Sequence, residues 1–218
     1  MPHYKHLQKT IVKFRNDRDW EKYHLPKNMI IGLWVEVGEL AEHFQYLDDD
    51  KILISLKENK EDVADELVDV LWWTLLIAHD FNLNIGKEFS RKMLKNSKKD
   101  ENKGYTEVSL KIPTSVDSLS QMQSFIKEFR KLRNWDTDIH PRDLLLKMFE
   151  EVGELAEHVQ WRKGDELWEH IEKNKLSIAD EVIDVLICTL LLFNYLDYDI
   201  QLEFDRKMDK NRKKYPLN

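Results

Sequence analysis

ADELVDVLWWTLLIA, Ala64 to Ala78, places apolar residues on every side of a helix turning about 100° per residue, so that helix must be buried nearly all round. Glu66 and Asp69 nevertheless sit inside it. They are i and i+3, and their side chains are therefore neighbours. Carboxylates without partners are costly in such a setting. Two like charges ~4 Å apart at an effective dielectric of ~20 repel by about 4 kcal/mol. The stretch therefore predicts both a helical core and a compensating cation.

Upstream, EVGELAEH runs from Glu36 to His43 and returns letter for letter from Glu151 to His158, an offset of 115 residues. Glu36 and Glu39 are again i and i+3. They border an apolar stripe of Leu33, Val37, Leu40, Ala41 and Phe44. The same offset carries Phe14 onto Phe129, Arg15 onto Arg130, Trp20 onto Trp135 and Pro26 onto Pro141. It carries Ala64, Asp65, Glu66 and Asp69 onto Ala179, Asp180, Glu181 and Asp184. It also carries Lys92, Met93, Lys95 and Asn96 onto Lys207, Met208, Lys210 and Asn211. The pattern reads as a tandem duplication. A polar stretch between Glu101 and Ser118, with Gly104 and Pro113, reads as the joint. The expected units are residues 1–108 and 119–218 with a linker at 109–118, each of ordinary domain size.

Six glycines and five prolines leave both units free to be helical. In the first unit, helices are expected at about Leu7–Trp20, Pro26–Leu47, Glu61–His79 and Ile85–Lys98, Pro26 falling in the tolerated first turn. The second unit repeats the set and adds a short helix in DELWEHIEKN. The fold class is all-α, with four-helix bundles. Gly38 and Gly153, in mid-helix, suggest the close approach of another helix or a ligand.

Composition excludes several classes. The hydrophobic share of 42% suffices for a core, and a net charge of −7 speaks against nonspecific nucleic-acid binding. The single Cys188 cannot form an internal disulfide, and the longest apolar run, Val185–Phe193, is too short to span a membrane. The start MPHYKHLQKT has no apolar signal-peptide core. The expectation is a soluble, cytoplasmic protein without nucleic-acid or membrane partners.

An ExxE pair alone is most often a solvated helix face. The same four acids at the same spacing in both units, one pair inside an apolar helix, point instead to two metal sites: Glu36, Glu39, Glu66 and Asp69, then Glu151, Glu154, Glu181 and Asp184. All-oxygen ligands select a hard ion, Mg²⁺ first and Mn²⁺ second.

ExxE followed by ExxD on neighbouring helices resembles the MazG-like, all-α nucleoside triphosphate pyrophosphohydrolases. RDWEKYHLPKN with VEVGELAEHFQY, and KMDKNRKKYP, resemble the dCTP pyrophosphatase branch. The resemblance implies Mg²⁺-dependent hydrolysis of a nucleoside triphosphate, dCTP or a modified pyrimidine deoxynucleotide, to monophosphate and pyrophosphate. It implies the eight acids as metal ligands, with Glu36, Glu39, Glu151 and Glu154 catalytic. It places Trp20, Tyr46, Trp135 and Trp161 against the base, and Lys92, Asn96, Lys207 and Asn211 against phosphate and sugar.

Family members with one such domain work as dimers or dimers of dimers, which implies an intrachain pseudo-dimer here and allows a further homodimer. The two units depart from the family at different places. The first has Leu94 and Ser97 where the second keeps Asp209 and Arg212, and the second has LRNWDTDIH where the first keeps RDWEKYH. A histidine that some members hold near the substrate is Ile11 and Ile126 here. The complementary departures suggest a site shared between the units.

The competing readings are a dUTP or phosphoribosyl-ATP pyrophosphatase of the same superfamily, a di-iron carboxylate bundle, and a non-catalytic helical interaction module. Di-iron bundles need Glu-x-x-His on two helices, and only Glu21 with His24 fits, Asp136 and Ile139 standing there in the second unit.

Overall fold

The computed structural model describes residues 3–48, 50–99, 110–135 and 140–217. Among them are ten α-helices: α1 (Tyr4–Asn16), α2 (Pro26–Glu42), α3 (Ile52–Glu58), α4 (Lys60–Asp80), α5 (Ile85–Lys99), α6 (Leu119–Leu132), α7 (Pro141–Val159), α8 (Gly164–Lys173), α9 (Lys175–Leu196) and α10 (Ile200–Lys214). The described residues contain no strand beyond a lone bridge between His3 and Ser118. The all-α expectation holds. The starts of α2, α4 and α5 recur at the 115-residue offset in α7, α9 and α10. Among the described residues, no helix is long and apolar enough to cross a membrane.

Two helix ends differ from expectation, each with a backbone cause, and one helix is additional. Helix α1 stops at Asn16 instead of reaching Trp20, because Asp19 turns left-handed at φ 54°. Helix α2 stops at Glu42 instead of Leu47, and Tyr46 then takes φ 60°. Helix α3 adds to the expected set; it buries only Ile52 and Leu56, too few for a periodic signal. Its counterpart α8, within DELWEHIEKN, is present as expected. Residues 101–109 and 136–139 lie outside the described residues, and with them the proposed boundary at 108 and the Asp136/Ile139 comparison. The close of the expected linker is docked rather than loose: the Val116 amide donates to the Gly86 carbonyl at 3.2 Å and Val116 is buried.

Helices α4 and α9 form the centre. Helix α4 packs on α1, α2, α9 and α10; helix α9 packs on α4, α5, α6 and α7; and α2 lies along α7. Leu40 and Leu155 are both buried in one continuous apolar cluster that draws on both halves of the chain. Thus α5 reaches α9 and α10 reaches α4, each from the opposite half of the chain.

The end of α9 is tied to the first half by one buried hydrogen bond. The Tyr198 hydroxyl donates to the Leu56 carbonyl in the last turn of α3 at 2.8 Å. Carbonyls in a last helical turn lack intrahelical partners, so the phenol fills a real vacancy. Burial pushes Tyr198 up to about 12, which keeps the phenol a donor. Tyr198→Phe should therefore cost about 1–2 kcal/mol in urea unfolding monitored by circular dichroism.

Candidate functional site

Helix α2 carries Glu36 and Glu39, and α4, packed beside it, carries Glu66 and Asp69. Carboxylate oxygens of Glu36, Glu39 and Glu66 lie within 4.8 Å of one another. In the second half, Glu151 on α7 meets Glu181 and Asp184 on α9 within the same 4.8 Å. Three of each expected four acids converge this closely. The remaining ones, Asp69 and Glu154, stay within electrostatic reach: Asp69 acts on Glu36 and Glu66, and Glu154 acts on Glu181.

The clusters have the chemistry of a hard-cation site. Glu66 Oε2 and Glu151 Oε2 are buried with no hydrogen-bond partner, an arrangement that a bound cation relieves. Burial, then the charge of Asp69, lifts Glu36 to about 7. Burial lifts Glu66 to about 7 against the opposing pull of Lys207. Burial and then Glu151 raise Glu181, and burial raises Asp69 and Asp184 despite their lysine partners. Glu36 and Glu66 can therefore hold or give up a proton near neutral pH.

Each cluster meets basic side chains from the other half. Lys207 of α10 is 2.5 Å from Asp69, and Lys92 of α5 forms an ion pair with Asp184. Beside Asp69, Asp65 accepts from Arg206 Nη2 at 2.6 Å and pairs with Lys210. Beside Asp184, Asp180 accepts from Arg91 Nη2 at 2.6 Å and pairs with Lys95. Asp180 is lowered, because Lys95 and Arg91 outweigh the burial that would raise it. The arginines close the arrangement identically, Arg206 donating to the Glu61 carbonyl at 2.9 Å and Arg91 to the Leu176 carbonyl at 3.0 Å. Sequence reasoning did not assign Asp65 and Asp180 a role. Their signal was present: a third acid, repeated at the 115-residue offset, within helices that read as wholly buried.

The expected nucleotide contacts scatter more widely. Lys92 and Lys207 are buried on the acids, and Asn96 and Asn211 lie half-buried on the same helices. Trp20 is half-buried, edge-on to Phe14 at 5.8 Å and to Tyr215 at 5.1 Å. It lines an open cleft of about 690 Å³ with Arg18, Lys214 and Tyr215. Arg18 Nη2 donates to the Tyr215 carbonyl at 2.6 Å, fastening the end of α10 to α1. Lys214 is raised by its bond to Tyr215 and also feels Asp69, so this cleft lies within electrostatic reach of the first cluster. Trp135 is half-buried and edge-on to Phe129 at 6.3 Å. Tyr46 and Trp161 are 97% and 91% exposed, each at a left-handed position just past its helix, and Tyr46 is not a wall of the Trp20 cleft.

Of the mid-helix glycines, Gly38 has open space around it and Gly153 only the Trp34 ring at 3.8 Å, so neither marks the close helix approach expected. The tight position is Gly32. A Cβ there would stand 2.6 Å from the Trp73 ring, whose indole N–H donates to Glu36 Oε1 at 3.4 Å.

Residues 150–218 match the model of the MazG-like family. The chain is 34% identical over 105 residues to dCTP pyrophosphatase 1 of Rattus norvegicus and 35% identical over 105 residues to that of Homo sapiens. Each match covers 46% of this chain and 61% of the relative, so the chain spans about three fifths of the length of these relatives. It is 30% identical over 97 residues to the uncharacterized protein YpjD of Bacillus subtilis (strain 168), covering 44% of this chain and 82% of that one. No solved structure matches.

The raised carboxyls make stability depend on pH and on cations together. Between about pH 4.5 and 7 the folded chain holds protons on Glu36 and Glu66 that the unfolded chain has released. Their contribution is therefore complete below pH 4.5 and lost as pH rises through 7. Divalent cations bind the deprotonated form. The rise in Tm on adding Mg²⁺ should be small near pH 5 and grow up to about pH 8, read by scanning calorimetry. A rise that is flat across that window would show that these carboxyls do not hold the ion.

Proposed function

We propose that this chain, which belongs to the MazG-like family, hydrolyses a nucleoside triphosphate to the monophosphate and pyrophosphate, with dCTP or a modified pyrimidine deoxynucleotide as substrate and Mg²⁺ as cofactor. The observation that carries the reading is the pair of convergent carboxylate clusters, each faced by a lysine from the opposite half. The likeness to dCTP pyrophosphatase 1 supports it. In the same reading the chain is two MazG-like units, residues 1–108 and 119–218 joined by 109–118, paired as a dimer within one polypeptide.

A triphosphate carries several negative charges, which an acidic site alone repels. Glu36, Glu39, Glu66 and Asp69, or Glu151, Glu154, Glu181 and Asp184, would hold Mg²⁺, which would supply the opposing charge and make water a better nucleophile. The rest falls to the chain. Of the catalytic glutamates Glu36, Glu39, Glu151 and Glu154, one that keeps a carboxylate oxygen free of the ion would take the proton from the attacking water. Lys207 and Lys92 hold positive charge at the rim of each cluster, where the leaving pyrophosphate gathers negative charge. Trp20 lines a cleft within electrostatic reach of the first cluster and is assigned to the base, and Arg18 and Lys214 line the same cleft. Trp135, Tyr46 and Trp161 are assigned to the base, and Asn96 and Asn211 to phosphate and sugar, by family resemblance.

A panel of nucleoside triphosphates assayed for pyrophosphate release tests the reading and separates dCTP, dUTP and phosphoribosyl-ATP as substrates. The double variant Glu39→Gln, Glu154→Gln should lose at least about 100-fold in rate, beyond what loss of an outer-shell partner costs, with its helical circular dichroism intact. Full activity in that variant would sink the assignment. Trp20→Ala should raise KM about tenfold with little change in kcat, the size of one base–aromatic stack.

A further inference from the structure

The two clusters share their acids but not their surroundings. At the 115-residue offset, Gly32 is matched by Lys147 and Trp73 by Cys188. The differences belong together. In the first half the Trp73 ring occupies the space where a side chain at position 32 would begin, and its N–H is the neutral donor to Glu36. In the second half Cys188 is small and buried, and the Lys147 side chain is present. Its ammonium is 2.5 Å from Glu151 Oε1, the counterpart of the Glu36 carboxylate, and 2.9 Å from Glu150 Oε2. Lys147 is half-exposed, as a surface i,i+4 lysine would be, but Glu151 is 1% exposed, so the charge on which it ends is an interior one.

The consequence is electrostatic. Among the described residues, the first cluster has one lysine on its four acids, Lys207 on Asp69. The second has two, Lys92 on Asp184 and Lys147 on Glu151. Glu151 is also one of the three acids whose oxygens converge in the second cluster. A cation arriving there must either displace the ammonium or sit beside it.

We propose that the clusters are inequivalent: the first is the strong divalent-cation site, while in the second Lys147 stands on Glu151 as a resident cation and weakens divalent binding. This rests on the metal-dependent reading above and deepens it, because at limiting cation only the first cluster then turns over. A unit charge a few ångströms from the ion is enough for a difference of about tenfold or more at the effective dielectric of a protein.

Mn²⁺ titration of the full chain, with free Mn²⁺ counted by electron paramagnetic resonance, tests this without reference to turnover. The wild type should show a tight and a weak class of site. Glu36→Gln with Glu39→Gln should remove the tight class alone. Lys147→Gln should tighten the weak class about tenfold or more, whereas Lys147→Arg, which keeps the charge, should titrate as the wild type does. Lys147→Gly with Cys188→Trp, rebuilding the first cluster's surroundings in the second, should bring the two classes together. Two equal classes in the wild type, or Gln and Arg variants that titrate alike, would overturn the inference while leaving a metal-dependent hydrolase standing. A chain that binds no Mn²⁺ and releases no pyrophosphate would overturn both.

Discussion

Asp65 and Asp180 are almost sealed from water, and each is held by an arginine and a lysine from the far half of the chain. Removing one partner of such a buried pair typically costs about 3–5 kcal/mol, because the other charge is left stranded. The central helices therefore cannot stand in their own halves with these charges intact. The exchange that satisfies Asp65 and Asp180 also sets the register of α10 on α4 and of α5 on α9. That register delivers Lys207 to Asp69 and Lys92 to Asp184. One electrostatic requirement thus fixes the packing of the outer helices and the charge at the rim of both clusters.

Much of this was legible in the residues. The apolar run from Ala64 predicts a central helix, and α4 is buried on nearly every side. The paired acids at i and i+3 predict convergence, and three of each four converge. What stayed hidden is three-dimensional. Nothing in the repeated KM-x-KN segment says that its lysines serve the acids of the other half, because partner choice lies in the packing of α5 and α10. Nor does periodicity reveal where a helix yields to a left-handed residue, as before Trp20 and at Tyr46. The substitution of Lys147 for Gly32 is visible as a letter, but its meaning needs the room that Cys188 leaves where Trp73 stands in the first half.

The aromatic residues show a second limit of pattern reading. Trp20 and Trp135 share an offset and half-burial, and each meets a phenylalanine edge-on. Trp20 also has Tyr215 edge-on to it, in an open cleft that Arg18 helps to hold. That cleft is built where α10 runs on into Tyr215 and Pro216, and at the 115-residue offset those letters are Asp100 and Glu101. The match between the two tryptophans therefore does not extend to the residues that wall the cleft.

The exchange of α5 and α10 also gives the molecule an order of completion during synthesis. Chains are made from the N-terminus, and segments fold as they emerge. When Asp184 leaves the ribosome, Lys92 has already been made and can meet it at once. Asp65 and Asp69 emerge long before Arg206, Lys207 and Lys210 exist. The first cluster must wait as a patch of uncompensated negative charge until α10 arrives, so the nascent N-terminal half has no means of settling early into its final packing. Translation itself, through the late appearance of one helix, decides when the first site comes into being.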